Sequence, residues 1–201
     1  MHRILFTFLD AVIAGFILAP VFWYKNKNDT HNSFRSTLYF LFSVYLCATF
    51  SVAGLPDIRY IRFNPHVNLE PFAYMFSDWP NSLLNVILFL PLGFFLSVLW
   101  KKEFPLWKTM LLGFATSFLI ELLQIFTYRA TDINDLITNT SGTLVGWGLS
   151  KLCPVLFRGL PKGPVKDVFY VYAVSFLVMF FLHPFLADLL LVLISRCKHF
   201  F

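Results

Sequence analysis

Charge is scarce in this chain. Asp, Glu, Lys and Arg make up 13% of its 201 residues, where soluble domains carry about 25%, and that deficit excludes an ordinary solvated surface. Cysteine is nearly absent too: Cys47, Cys153 and Cys197 have neither the paired spacing of a disulfide framework nor a Cys/His pattern for zinc. The chain has no His-Glu-x-x-His pair, no Gly-x-Ser-x-Gly elbow and no glycine-rich phosphate loop, the signatures of the best-marked hydrolase and nucleotide-binding classes. No internal repeat or low-complexity tract is present. The basic residues form no Lys/Arg stripe and lie beside no aromatic platform, so the net charge of +5 does not read as a nucleic-acid interface.

Hydrophobic residues are abundant instead: 58% of the chain, with 26 Phe and a mean hydropathy of +0.69. Runs long enough to span a bilayer, about 20 residues each, lie near 4–23, 38–53, 82–100, 106–126 and 133–152, and a sixth begins near Val168. Unpaired backbone groups are so unfavourable in lipid that spans this apolar are expected to be helices rather than barrel strands. The expected fold class is all-α, a polytopic transmembrane helical bundle of about five to seven helices, with 1–201 forming a single membrane domain. The segment 168–195 exceeds one crossing and contains His183, Pro184 and Asp188, consistent with one kinked helix or two short pieces. Asp10 interrupts the first apolar run and no small-residue cleavage site follows it, so that run is expected to be an uncleaved helix. Cys47 falls mid-helix and His183 on an apolar helix; both read as packing residues.

Basic residues set the orientation, because Lys and Arg accumulate in cytoplasmic loops. Lys25, Lys27 and Arg35 follow the first run, Lys101, Lys102 and Lys108 the third, and Lys151, Arg158, Lys162 and Lys166 the fifth. An up-and-down path puts all three loops on one side. The opposite side then carries 54–80 and the turn 127–132, where Arg59 and Arg62 fit less well.

Between Glu121 and Gly146 polar groups interrupt this apolar pattern. An ionised side chain at membrane depth costs roughly 3 kcal/mol on insertion scales, so such groups are functional-site candidates by default. Asp132, Asp135, Asn139, Gly142 and Gly146 recur at steps of three and four, which places them on one helical stripe. Gly142 and Gly146 form the small-xxx-small pattern of close helix packing, here open to a homodimer through the glycine face. On the preceding helix Ser117, Glu121 and Gln124 share a face, and the short turn containing Arg129 makes the two helices antiparallel neighbours. Asn81 and Asn85 begin the third helix on the same side. Each residue has a purely structural alternative: Asp132 and Asp135 as caps, Glu121 as a partner of Arg129, Asn139 as an interhelical tie. Six converging polar side chains exceed what a turn needs, which favours a ligand or catalytic pocket.

At these positions the chain resembles the VanZ-like family. The motifs are Asn68-Leu-Glu-Pro71-Phe72, Asn85-Val-Ile-Leu-Phe89-Leu-Pro91-Leu-Gly93, Glu121-Leu-Leu-Gln124 and Ala130-Thr-Asp132-Ile-Asn-Asp135-Leu-Ile-Thr-Asn139-Thr-Ser-Gly142, so that 65–152 is a VanZ-like core. The resemblance implies a bacterial multi-pass protein of the cell membrane, in a family linked to low-level resistance to teicoplanin, a lipidated glycopeptide. It supplies no reaction. The leading expectation is a cell-envelope protein whose outward pocket of Asn85, Glu121, Gln124, Arg129, Asp132, Asp135 and Asn139 binds a polar head group. Its partners would be membrane lipids, a lipid-linked cell-wall precursor or teicoplanin. The rival is an intramembrane hydrolase or phosphatase acting on a polyprenyl phosphate, with a divalent cation such as Mg²⁺ held by Glu121, Asp132 and Asp135. A third reading is a small transporter or flippase, which at this length would need the glycine-face dimer. Whether the protein is an enzyme stays open.

Overall fold

A computed structural model describes residues 12–22, 33–56, 58–59, 61–63, 66–72, 75, 77–127, 130–152, 164–182, 184–185, 188–189 and 192. Asp10, Arg129, Cys153, His183 and Cys197 lie outside the described residues. The described chain is all-α apart from two two-residue strands. Helix α1 covers Val12–Phe22, α2 Ser33–Ala53, α3 Trp79–Leu99, α4 Leu106–Gln124, α5 Ile133–Leu152 and α6 Lys166–Leu177, the last continuing as a π-helical turn over Val178–Leu182. Strands β1 (Val67–Asn68) and β2 (Thr131–Asp132) pair in parallel.

Three helices are long and apolar enough to cross a membrane: α2 over Phe34–Ala53, α3 and α4. The protein is a membrane protein on this ground and on the family evidence below. Helix α5 matches them in length, but its Asn, Asp, Ser, Thr and Gly residues keep it out of that group. It packs along both α3 and α4. The faces that α5 turns to α3 and α4 are covered by them and tolerate polar side chains that a lipid-facing surface would not.

The chain divides into two compact units, 1–61 with 169–201, and 62–168. In the first, aromatic rings do much of the packing: Phe22 meets Phe40 and Tyr170 edge-on, Phe42 meets Tyr172, and Phe50 meets Phe176. The Ser175 hydroxyl donates to the Ser43 carbonyl, and the buried Cys47 thiol lies 3.7 Å from the Ser175 carbonyl. The second unit contains α3, α4, α5 and both strands.

Local chemistry explains where the helices of the second unit begin and end. Pro80, in the first turn of α3, has its φ preset for a helix, so α3 starts three residues before the hydrophobic run suggests. Helix α4 stops at Gln124 because the next residues turn back: the Phe126 N–H donates to Leu123 and the Thr127 N–H and hydroxyl both donate to the Gln124 carbonyl. Helix α3 runs unbroken through Pro91. Its contact with α5 is a backbone-to-backbone seam. A Cβ on Gly93 would collide with the Thr143 carbonyl, one on Gly142 with Val86 and one on Gly146 with Leu90. Gly142 and Gly146 thus pack against α3 of the same chain.

Candidate functional site

The end of this unit where α3 begins, α4 ends and α5 begins is held together by side-chain hydrogen bonds. Glu121 and Gln124, in the last turn of α4, are 5% and 2% exposed. The Glu121 carboxylate accepts a 2.8 Å hydrogen bond from the Asp132 backbone N–H, and its own carbonyl accepts one from the Thr131 hydroxyl. A buried acid of α4 therefore fixes β2.

Asp132 stands just before α5. One of its oxygens accepts from the Asn134 N–H at 2.8 Å and from the Asn134 amide at 2.9 Å, the arrangement of a helix N-cap. The other accepts from the Asn68 amide at 3.2 Å. Asp132 thus caps α5 and anchors β1. Thr131 opposes Val67 and Asn68 opposes Asp132 in the parallel bridge, reinforced by the Thr131 N–H donating to the His66 carbonyl. Asn134 extends the same network. Its amide nitrogen donates to the Glu70 carbonyl at 3.2 Å and its oxygen accepts from the Phe72 N–H at 2.6 Å. Phe72 is the non-glycine residue with positive φ, 63°, among those described. Such a conformation persists only where surrounding contacts over-determine it, and the Asn134 bond is one of them.

One turn into α5 the polar groups turn to different neighbours. Asp135 accepts a 2.7 Å hydrogen bond from the Asn85 amide, tying α5 to α3. Asn139, 4% exposed, donates at 2.9 Å to the hydroxyl of Ser117, tying α5 to α4. The Asn139 amide oxygen is buried without a hydrogen-bond partner, an unusual state for a buried acceptor. Asn81 joins a different group: it is exposed and donates to Asp78 at the start of α3.

The structure therefore connects Asn85 with Asp135, Glu121 with Asp132, and Asn139 with Ser117, while Arg129 lies outside the described residues. It does not gather the three acids proposed as metal ligands. Among the described residues no three His, Cys, Asp or Glu side chains converge on a metal-sized site. The reason is visible in the bonding, since Glu121, Asp132 and Asp135 each turn to a different amide or N–H donor. Sequence reasoning missed Asn134, Thr131 and the contact role of Asn68. Asn134 sits between two carboxylates but off their helical stripe, and the signal available was its position two residues after an N-cap aspartate.

A model of the VanZ/LLP1 family matches residues 34–157. The chain belongs to the VanZ/LLP1 family. The matched segment includes every residue of the site just described, from Asn68 to Asn139. The chain is also 38% identical over 95 residues to the protein VanZ of Enterococcus faecium, an overlap covering 44% of this chain and 58% of that protein. It thus spans less than two thirds of the VanZ protein's length. No solved structure matches the chain.

Proposed function

We propose that this VanZ-like protein is a multi-pass protein of the bacterial cell membrane that lowers susceptibility to teicoplanin by binding the polar head of a lipid or lipoglycopeptide. The binding site is the outer cluster of Asn85, Glu121, Gln124, Asp132, Asp135 and Asn139, joined by Arg129, which lies between α4 and α5 in the sequence. The observation that carries this reading is the Asn85–Asp135 pair above the partnerless Asn139 oxygen. Carboxylate and amide oxygens at the end of apolar helices suit a ligand that brings N–H or O–H donors on a head and leaves its chain in lipid. Teicoplanin and lipid-linked wall precursors both have that form.

The three acids each accept from a different N–H or amide donor, which favours binding over metal-assisted phosphate hydrolysis, which needs oxygen ligands gathered on one cation. The deciding experiment is a teicoplanin susceptibility assay in cells expressing wild type or Asp135→Asn at equal membrane levels. Reduced protection by the variant is expected; unchanged protection would remove the cluster from the mechanism. Divalent-dependent release of phosphate from a polyprenyl phosphate by the purified protein would instead put hydrolysis first.

A further inference from the structure

The described residues of segment 62–72 run across the end of the unit where α4 stops and α5 starts, and their backbone is tied down there. The Arg62 N–H donates to the Phe126 carbonyl at 2.9 Å, the His66 carbonyl accepts from the Thr131 N–H, and Val67 and Asn68 pair with β2. Past the strand, the Glu70 N–H donates to the Asn68 side-chain oxygen at 3.1 Å, while Asn134 donates to the Glu70 carbonyl and accepts from the Phe72 N–H.

The side chains of this segment are arranged the reverse of what water favours. The Asn68 amide turns inward to Asp132, whereas Phe63, Leu69 and Phe72 are 68%, 70% and 61% exposed and Val67 is exposed as well. Phe72 keeps its ring outward at a positive φ that large side chains rarely adopt. Clustered exposed apolar groups on a fixed backbone mark an interaction surface.

The contact with α4 shows what covers it. Exposed Leu111, Phe114, Phe118 and Leu122 follow one another at steps of three and four along α4, a helix long and apolar enough to cross a membrane, and form its lipid-facing stripe. Phe126, four residues on and also exposed, continues that stripe past the helix end. The Phe63 ring packs on Phe126 with centroids 6.3 Å apart, so the segment prolongs a surface that already faces lipid. Trp79, exposed at the start of α3, is of the residue type that gathers at a bilayer boundary.

We propose that Phe63, Val67, Leu69 and Phe72 insert into the acyl-chain boundary of the leaflet at this end, making 62–72 a strap docked on phospholipid rather than a loop in water. Unsatisfied N–H and C=O groups are what bar irregular backbone from lipid, and here those groups are bonded to Phe126, β2 and Asn134. The exposed Arg62 and Glu70 limit the depth to the head-group region. This docking does not depend on which head group the polar cluster binds.

The test uses the full chain in phosphatidylcholine nanodiscs that include a phosphatidylcholine with a photoactivatable diazirine on its acyl chain close to the ester. After illumination, peptide mass spectrometry locates the lipid adducts. Adducts are expected on Phe63, Leu69 and Phe72 as on Leu122 of α4, and not on 101–103 between α3 and α4. The double variant Leu69→Asp, Phe72→Asp should lose the adducts on 66–72 and keep those on α4; both side chains are exposed, and aspartate tolerates the left-handed φ of position 72. Labelling of α4 without labelling of 62–72 overturns the proposal, and a dimer in the same nanodiscs would then assign the surface to a second copy. Labelling of 66–72 that the double variant leaves undiminished also overturns it, since these side chains would then not be what holds the strap in lipid.

Discussion

Gly146→Ala tests whether α5 is seated directly on α3. The atoms that a Cβ at Gly146 would meet are all backbone: the Leu90 carbonyl oxygen, then its carbon at 2.8 Å and the Phe94 nitrogen at 3.0 Å. None can rotate away as a side-chain terminus would, so the two helices must separate. Overpacking of this kind costs about 3 kcal/mol at the upper end of its usual range, and the gain in helix propensity from Gly to Ala returns about 1 kcal/mol. The net loss is about 2 kcal/mol, a fall in melting temperature of roughly 4–8 °C for a chain of this size. Gly148 is the internal control. It lies in the same helix with nothing within 4 Å of a Cβ, so Gly148→Ala should be neutral or stabilising by up to about 1 kcal/mol. Thermal unfolding of both variants in lipid nanodiscs, with mass measured in parallel, separates the possibilities. If Gly146→Ala melts with the wild type, the α3–α5 seam is wrong. If it changes the oligomeric state instead, the glycine face serves a second copy rather than α3.

Other expectations concern the outer cluster. Asn85→Leu removes the amide that donates to Asp135, and leaving a part-buried carboxylate short of a donor should cost about 1–3 kcal/mol in unfolding experiments. Combining it with Asp135→Leu should recover part of that loss, since the two residues share one interaction; strict additivity would deny the pair. Asn134→Ala removes the hydrogen bonds to Glu70 and Phe72 and should make the 66–72 segment protease-sensitive while α3 and α4 stay intact. An unchanged cleavage pattern would show that β1 and β2 suffice to hold it. Phe72→Gly should stabilise by about 1 kcal/mol through relief of the positive φ, because the ring is 61% exposed and loses little packing; a destabilised variant would mean that the ring has a buried partner in the membrane.

The helical part of this architecture was legible because its signal is periodic. Apolar runs marked the spans, and steps of three and four placed Asp135, Asn139, Gly142 and Gly146 on one stripe of α5. That stripe did not say what each residue would touch. Asp135 reaches Asn85 of α3 and Asn139 reaches Ser117 of α4, while the glycines return to α3. A stripe in a central helix faces two neighbours at once, and periodicity alone does not divide it between them. Asp132 was placed on the same stripe but precedes the helix, where one of its carboxylate oxygens caps α5.

The parallel bridge between β1 and β2 left no periodic trace. Two residues on each side are too few to show alternation, and the partners are separated by the whole of α3 and α4. What the sequence did contain was amide chemistry in the right places: Asn68 beside Glu70 and Asn134 beside Asp132. In a mostly apolar chain, amides satisfy buried or half-buried carboxylates without adding a second charge to desolvate, which an Arg or Lys partner would require. That accounts for Asn68, Asn85 and Asn134 donating to acids or carbonyls at the end where α3 and α5 begin. The other end is governed by the opposite rule, since Lys151 there binds serine and an aromatic face rather than an acid. One end of the α3–α5 pair is therefore rich in acceptors and the other in donors.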